Sequence, residues 1–115
     1  MDLEQMRRLC LSFPAVTEDV KWEDHLVFSV GDKMFCMTNF EPPFGCSFKV
    51  RDEEFEEMGN REGLEPAPYM ARAKWITVRE PAALDKQEWS HYLRQSYELV
   101  KARLTKKLRK ELGLD

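Results

Sequence analysis

Residues 25–40, HLVFSVGDKMFCMTNF, constrain this chain more than any other stretch. Apolar residues alternate on both sides of Gly31-Asp32, and a two-residue loop with glycine first is what a type II′ hairpin turn requires. Two antiparallel strands are therefore expected to lie side by side. Across such a loop Phe28 faces Phe35 and Leu26 faces Met37. Those four make the greasier face, which predicts that helices cover it, while Val27, Ser29, Met34 and Cys36 point the other way. A third alternating run follows Pro42-Pro43. It places Phe44, Cys46, Phe48 and Val50 toward the core, with Ser47 and Lys49 on the open face. That parity puts Cys46 inside and Cys36 outside, which disfavours a disulfide between them.

Helices flank these strands. Asp2 caps the first, with Gln5 three residues on, and Leu3, Met6, Cys10 and Phe13 recur at helical spacing until Pro14 stops it. The segment DVKWEDH is a short connection whose Trp22 is expected to pack against its neighbours. Asp52 opens a second helix, its first turn rich in Glu53 and Glu54, ended by Gly59-Asn60. Residues 65–68 form a proline-marked loop before one or two further strands. A long last helix runs from Asp85 to Gly113, with Trp89, Leu93, Ser96, Val100 and Leu104 as its inner stripe. Helix, strands, helix, strands, helix describes an α+β domain with helices on one sheet face.

At 115 residues the chain is one domain, able to bury a core without staples. No apolar run approaches the length of a membrane span, and the first ten residues lack the apolar stretch of a secretory signal. Three cysteines without a CxxC pair point to reduced thiols and a cytoplasmic setting. The net charge of −3 conceals a division, with residues 1–66 at −8 and residues 67–115 at +5. A segregated basic half permits a local basic patch, although charged helices also need solvated faces.

In KWITVR (74–79), Ile76 and Val78 share one strand face, and Trp75, Thr77 and Arg79 share the other. With Ile76 and Val78 in the core, Trp75 stands on the open face among cations, an arrangement that stacks on nucleic-acid bases. The alternative is that Trp75 packs inward or lies under a loop.

The chain resembles the MmcQ/YjbR-like family of small bacterial proteins over nearly its whole length. The resemblance rests on DVKWEDHLVFSVGDKMF (19–35), SFK (47–49), KWITV (74–78) and SYELVKARLTKKLR (96–109). It implies a two-layer α/β sandwich of order α-β(3)-α-β(2)-α, with a mainly antiparallel sheet and helices on one face. Such folds are likened to secretion chaperones and to the frataxin-like CyaY fold. The resemblance also implies DNA binding through a double-wing arrangement. Where members often carry a proline before the paired lysines of the last helix, this chain has Thr105 before Lys106-Lys107.

Two functions follow as expectations. In the first, Lys49, Arg72, Lys74 and Arg79 reach DNA phosphates around the open face, with Trp75 as platform and Lys33 as a wing at the hairpin tip. Lys106 and Lys107 lead a second cluster, with Arg109 and Lys110, although lysines there also suit a helix C-terminus. Such contacts give weak, salt-sensitive affinity, and no helix-turn-helix or zinc-finger pattern supplies base readout. In the second, Val27, Met34, Cys36 and Trp75 form an apolar patch for a protein partner or a homodimer. Enzymatic chemistry has no signature. His25 and His91 lie in different elements without a nucleophile, Cys10 lies on an apolar stripe, and residues 53–57 read as a solvated face. No phosphate-cradling glycine loop is present, and Glu23-Asp24-His25 lacks the partners that would complete a metal site. Neither metal nor cofactor is expected.

Overall fold

Asp2 and Asp85 start the two principal helices by the same device. Each carboxylate accepts from the backbone N–H three residues on, Gln5 and Glu88, at 2.8 Å. The Gln5 and Glu88 side chains in turn accept from the backbone N–H of Asp2 and Asp85. The computed structural model describes residues 1–114. Its helices are α1 (Leu3–Leu11), α2 (Asp52–Gly59), α3 (Lys86–Lys101) and α4 (Lys106–Glu111). Its strands are β1 (Val16–Lys21), β2 (His25–Val30), β3 (Lys33–Asn39), β4 (Cys46–Lys49), β5 (Leu64–Pro66) and β6 (Trp75–Val78). They form one antiparallel sheet in the order β1-β2-β3-β4-β6-β5. The fold is the expected α+β sandwich, with four strands before α2 where three were expected. The added strand is β1, within what the sequence suggested was a connection. It is an edge strand exposed everywhere but Val16, so it lacks the apolar alternation that marks a half-buried strand.

The expected hairpin register holds only near the turn. Val30 pairs with Lys33 and Ser29 with Met34, but Phe28 then pairs with Cys36, Val27 with Met37 and Leu26 with Thr38. Phe35 is the extra residue of a β-bulge, and a bulge turns two successive side chains toward one side of the sheet. Phe35 and Cys36 both enter the core beneath the helices. Met37, expected inside, lies on the other face. Cys36 therefore shares the core with Cys46, their sulfurs 3.7 Å apart, and the assignment of opposite faces to these two cysteines is corrected.

The bulge also interrupts the ladder between β3 and β4, whose pairs span only Cys36–Phe48 to Thr38–Cys46. One hydroxyl fills the gap. Ser96, fully buried on α3, donates to the carbonyl of Phe35 at 2.6 Å and accepts from the backbone N–H of Lys49 at 2.9 Å. Two ordinary tethers hold α3 elsewhere, Tyr97 Oη to the Pro14 carbonyl and Trp89 Nε1 to the Pro81 carbonyl.

The long final helix is two helices. Leu104 is buried, and its side chain sits against Gly31, where a β-carbon would come within 3.0 Å of Leu104 Cδ2 and 3.2 Å of Leu108 Cδ2. Seating both leucines under the hairpin tip turns the chain after Lys101, and Thr105 caps the new helix by accepting from the Leu108 N–H. Gly31, at φ +64°, serves both the turn and this close approach.

Between sheet and helices the core runs from Leu26, Phe28 and Val30 through Phe48 to Ile76 and Val78, against Met6, Trp89, Leu93 and Tyr97. Within it lies a row of sulfurs. Met6 accepts a hydrogen bond from Cys46 at 3.6 Å, and Cys46 in turn neighbours Cys36. A thioether only accepts, so Cys46 donates to Met6 and accepts from Cys36, with Cys10 buried in the same core. The Cys10 thiol is pushed far up by donation to Cys36 and by burial, and Cys36 is raised as well. Thiols held protonated without solvent access are poor nucleophiles.

Two expectations follow. All three cysteines should resist DTNB in the native protein and react together once denaturant unfolds it; rapid native labelling of any one would contradict this packing. Ser96→Ala strands a buried carbonyl and a buried N–H, and should lower unfolding free energy by about 2–3 kcal/mol in denaturant titrations. A loss near zero would mean that β3 and β4 close the gap unaided.

Candidate functional site

The cations singled out in the sequence divide between the two ends of the sheet. At the hairpin-tip end, Lys33 opens β3, and Leu104 seated under Gly31 brings the α3–α4 turn to the same place. Lys106 and Lys107, just beyond that turn, are exposed in the first turn of α4. This corrects their placement at a helix C-terminus, and the dipole of a helix gives no reason for lysine at this end.

Lys49 ends β4 at the same end of the sheet, directly across from Trp75. Its ammonium donates to the Ala73 carbonyl at 2.6 Å, where a 3₁₀ turn over Ala71–Ala73 finishes. Lys74 follows that turn at φ +65°, a left-handed position, and its ammonium lies 5.0 Å from the Phe55 ring centroid. Burial, then the nearby charges of Arg103 and Lys74, hold the Lys49 ammonium below the ordinary lysine value, against an opposing pull from Asp52. Lys49, Lys74 and Arg103 thus form one electrostatic group, with Arg72 exposed on the adjoining turn. Among the described residues none of Lys33, Lys49, Arg72, Lys74, Arg103, Lys106 or Lys107 makes an ion pair. Arg103 carried no distinguishing signal in the sequence; its role comes from the turn that Leu104 forces.

Arg79 does not belong to this group. It lies five residues beyond Lys74 along an extended strand, roughly 16 Å away, and Nε pairs with Glu65 at 2.7 Å. Trp75 is not a platform either. It projects from the face opposite Ile76 and Val78, as pleat parity requires, yet only 4% of it is exposed. The chain from Ala67 to Lys74 returns alongside, with the Ala67 N–H donating to the Trp75 carbonyl and the Trp75 N–H to that of Met70. Val27 and Cys36 are fully buried, so the apolar patch expected of Val27, Met34, Cys36 and Trp75 is not a surface.

The exposed tryptophan is Trp22, 64% accessible, in the β1–β2 turn at φ +53° with Glu23 at +67°. Its ring meets His25 edge-on at 5.9 Å. Tyr69 is fully exposed, also left-handed at φ +65°. Bulky residues occupy that region at a cost of about 1–2 kcal/mol each. Tyr69 and His25 line a cleft of about 590 Å³ on the sheet face away from the helices. Met37, Ser47 and Thr77 line the same cleft from three adjoining strands, the two hydroxyls 2.7 Å apart. His25 Nδ1 lies 2.6 Å from the Asp24 carboxylate, and Arg79 also reaches the cleft. Trp22, expected to pack against its neighbours, is instead exposed, and no local signal marks Tyr69, since exposure in a turn follows from backbone path and not from residue type.

Among the described residues, no group of three or more His, Cys, Asp or Glu side chains is arranged to hold a metal. None of the described helices is long and apolar enough to cross a membrane.

Replacing Arg103 by Gln should move Lys49 up toward the ordinary lysine value, because one repelling charge is gone. An NMR pH titration of the Lys49 ε-methylene reads this directly, and an unchanged midpoint would separate the two cations.

The YjbR family model matches residues 11–99 of the chain. The crystal structure of the Deinococcus radiodurans protein DR2400, a DUF419 domain, superposes with a TM-score of 0.87 at 30% identity, covering 98% of this chain and 88% of that one. A Pseudomonas syringae protein of known structure shares the fold, with a TM-score of 0.72 at 22% identity, covering 87% of this chain and 99% of that one. No curated protein matches the chain significantly.

Proposed function

Since the chain belongs to the YjbR family, we propose that it is a binding module without catalytic chemistry that engages DNA through its basic hairpin-tip end. The single observation that carries this reading is the gathering of Lys33, Lys49, Lys74 and Arg103 at the hairpin-tip end of the sheet, none of them in an ion pair among the described residues. Like charges gathered on a protein of net charge −3 are stabilised by an external anion, and a phosphate backbone supplies anions at close, regular spacing. Alongside Lys33 on the hairpin, Lys106-Lys107 on α4 extend the group at the hairpin tip. Contacts of this kind position a protein without reading sequence. Trp75 has no part in it, since a buried indole offers no face to a base. The three reduced thiols of the core fit a cytoplasmic setting.

Fluorescence anisotropy of a labelled duplex measures the interaction. We expect micromolar binding at low salt, weakening with a log–log slope of roughly −3 to −4 if three or four phosphates are neutralised. Exchanging Lys49, Lys74 and Arg103 together for Gln should abolish binding, whereas Arg79→Gln should leave it intact. Absence of binding at low salt, or equal binding by the triple variant, would refute the reading.

A further inference from the structure

The cleft on the open sheet face is lined by none of the cations of the basic end and is not used by the reading above. Its volume of about 590 Å³ is that of a small-molecule site. Three features define what it would take. The first is Arg79. Its Nε is engaged by Glu65, but neither Nη has a partner among the described residues. Nη1 lies 2.9 Å from where a β-carbon on residue 45 would stand, so the guanidinium lies close over the backbone that leads into β4. A guanidinium so held, with both Nη groups unspent, is suited to a carboxylate.

The second feature is Tyr69. A fully exposed aromatic ring in a left-handed backbone position gains nothing from burial, and glycine or asparagine would take that conformation at less cost. It lines the cleft with Met70, and Met37 lies on the floor, so a flat ring entering here meets one aromatic face and two thioethers. The third is charge. Asp24 and Glu41 also line the cleft, and Glu65 neighbours Arg79, so a second negative charge on the ligand would be repelled. The Ser47 and Thr77 hydroxyls bond each other, which leaves one O–H to donate to a ligand acceptor.

We propose that this cleft binds a small planar aromatic carboxylate, its ring against Tyr69 and its acid group on Arg79. Trp22 stands beside His25 at one rim. The proposal is independent of DNA binding at the other end of the sheet.

Titration of the full ¹⁵N-labelled chain with indole-3-acetate, uncharged tryptophol and adenosine monophosphate tests it. Indole-3-acetate should shift the amides of Ser47, Tyr69, Thr77 and Arg79 with a dissociation constant of roughly a millimolar or better, as a ligand of that size reaches at ordinary efficiency. Arg79→Gln should weaken indole-3-acetate about tenfold, to the level of tryptophol, and leave tryptophol unchanged. Tyr69→Ala, which removes only an exposed ring, should weaken both. Three results would overturn the proposal: no shifts in the cleft, equal affinity in the Tyr69→Ala variant, or tighter binding of the phosphate than of the carboxylate.

Discussion

The hydroxyl of Ser96 holds this structure at its most exacting point. Phe35 is the bulged residue of β3 opposite β2, and the β3–β4 ladder ends at Cys36–Phe48, so the bond that would have joined the Lys49 N–H to the Phe35 carbonyl is missing. Buried backbone groups without partners are costly. One serine side chain both donates and accepts, and so replaces the missing bond while fixing α3 to the sheet. The position of the helix layer and the end of β4 are set together.

What the bulge allows follows from that. Phe35 and Cys36 both turn inward, which gives Phe35 to the cluster with Phe13 and Tyr97 and brings Cys36 into the sulfur row. The row is polar enough to need hydrogen bonds and weak enough to supply its own. It ends on the thioether of Met6, a residue that accepts and cannot pass a proton on. The cysteines are packing residues whose chemistry is suppressed by where they lie.

The same joint separates two surfaces. Lys49 emerges from β4 just beyond the Ser96 contact, and the turn after α3 carries Arg103 to it, so the basic end depends on the register of the helix against the sheet. On the far side, the bulge turns Met37 outward to line the cleft with Ser47 and Thr77. Lys74 and Arg79, close in sequence and similar in charge, serve different surfaces because β6 is a straight strand between them. One is crowded by cations and the other is tethered to a glutamate.

Local rules were enough to read part of this from the chain. Asp2 and Asp85 with their partners three residues on mark helix starts, Gly31-Asp32 marks the hairpin, and the alternation in 74–79 assigns Ile76 and Val78 to the core; each is a matter of a few neighbouring residues. The family, too, was legible in the order of its segments. The bulge at Phe35, the break after Lys101 and the exposure of Trp22 and Tyr69 were not legible, and whether Trp75 stood free or lay under a loop was left open. The bulge depends on Ser96 and the break on Gly31, both far along the chain, while the path of residues 67–74 decides the burial of Trp75. Pleat parity gave the side on which Trp75 projects, but whether anything lies over that side is decided by how the rest of the chain returns across it.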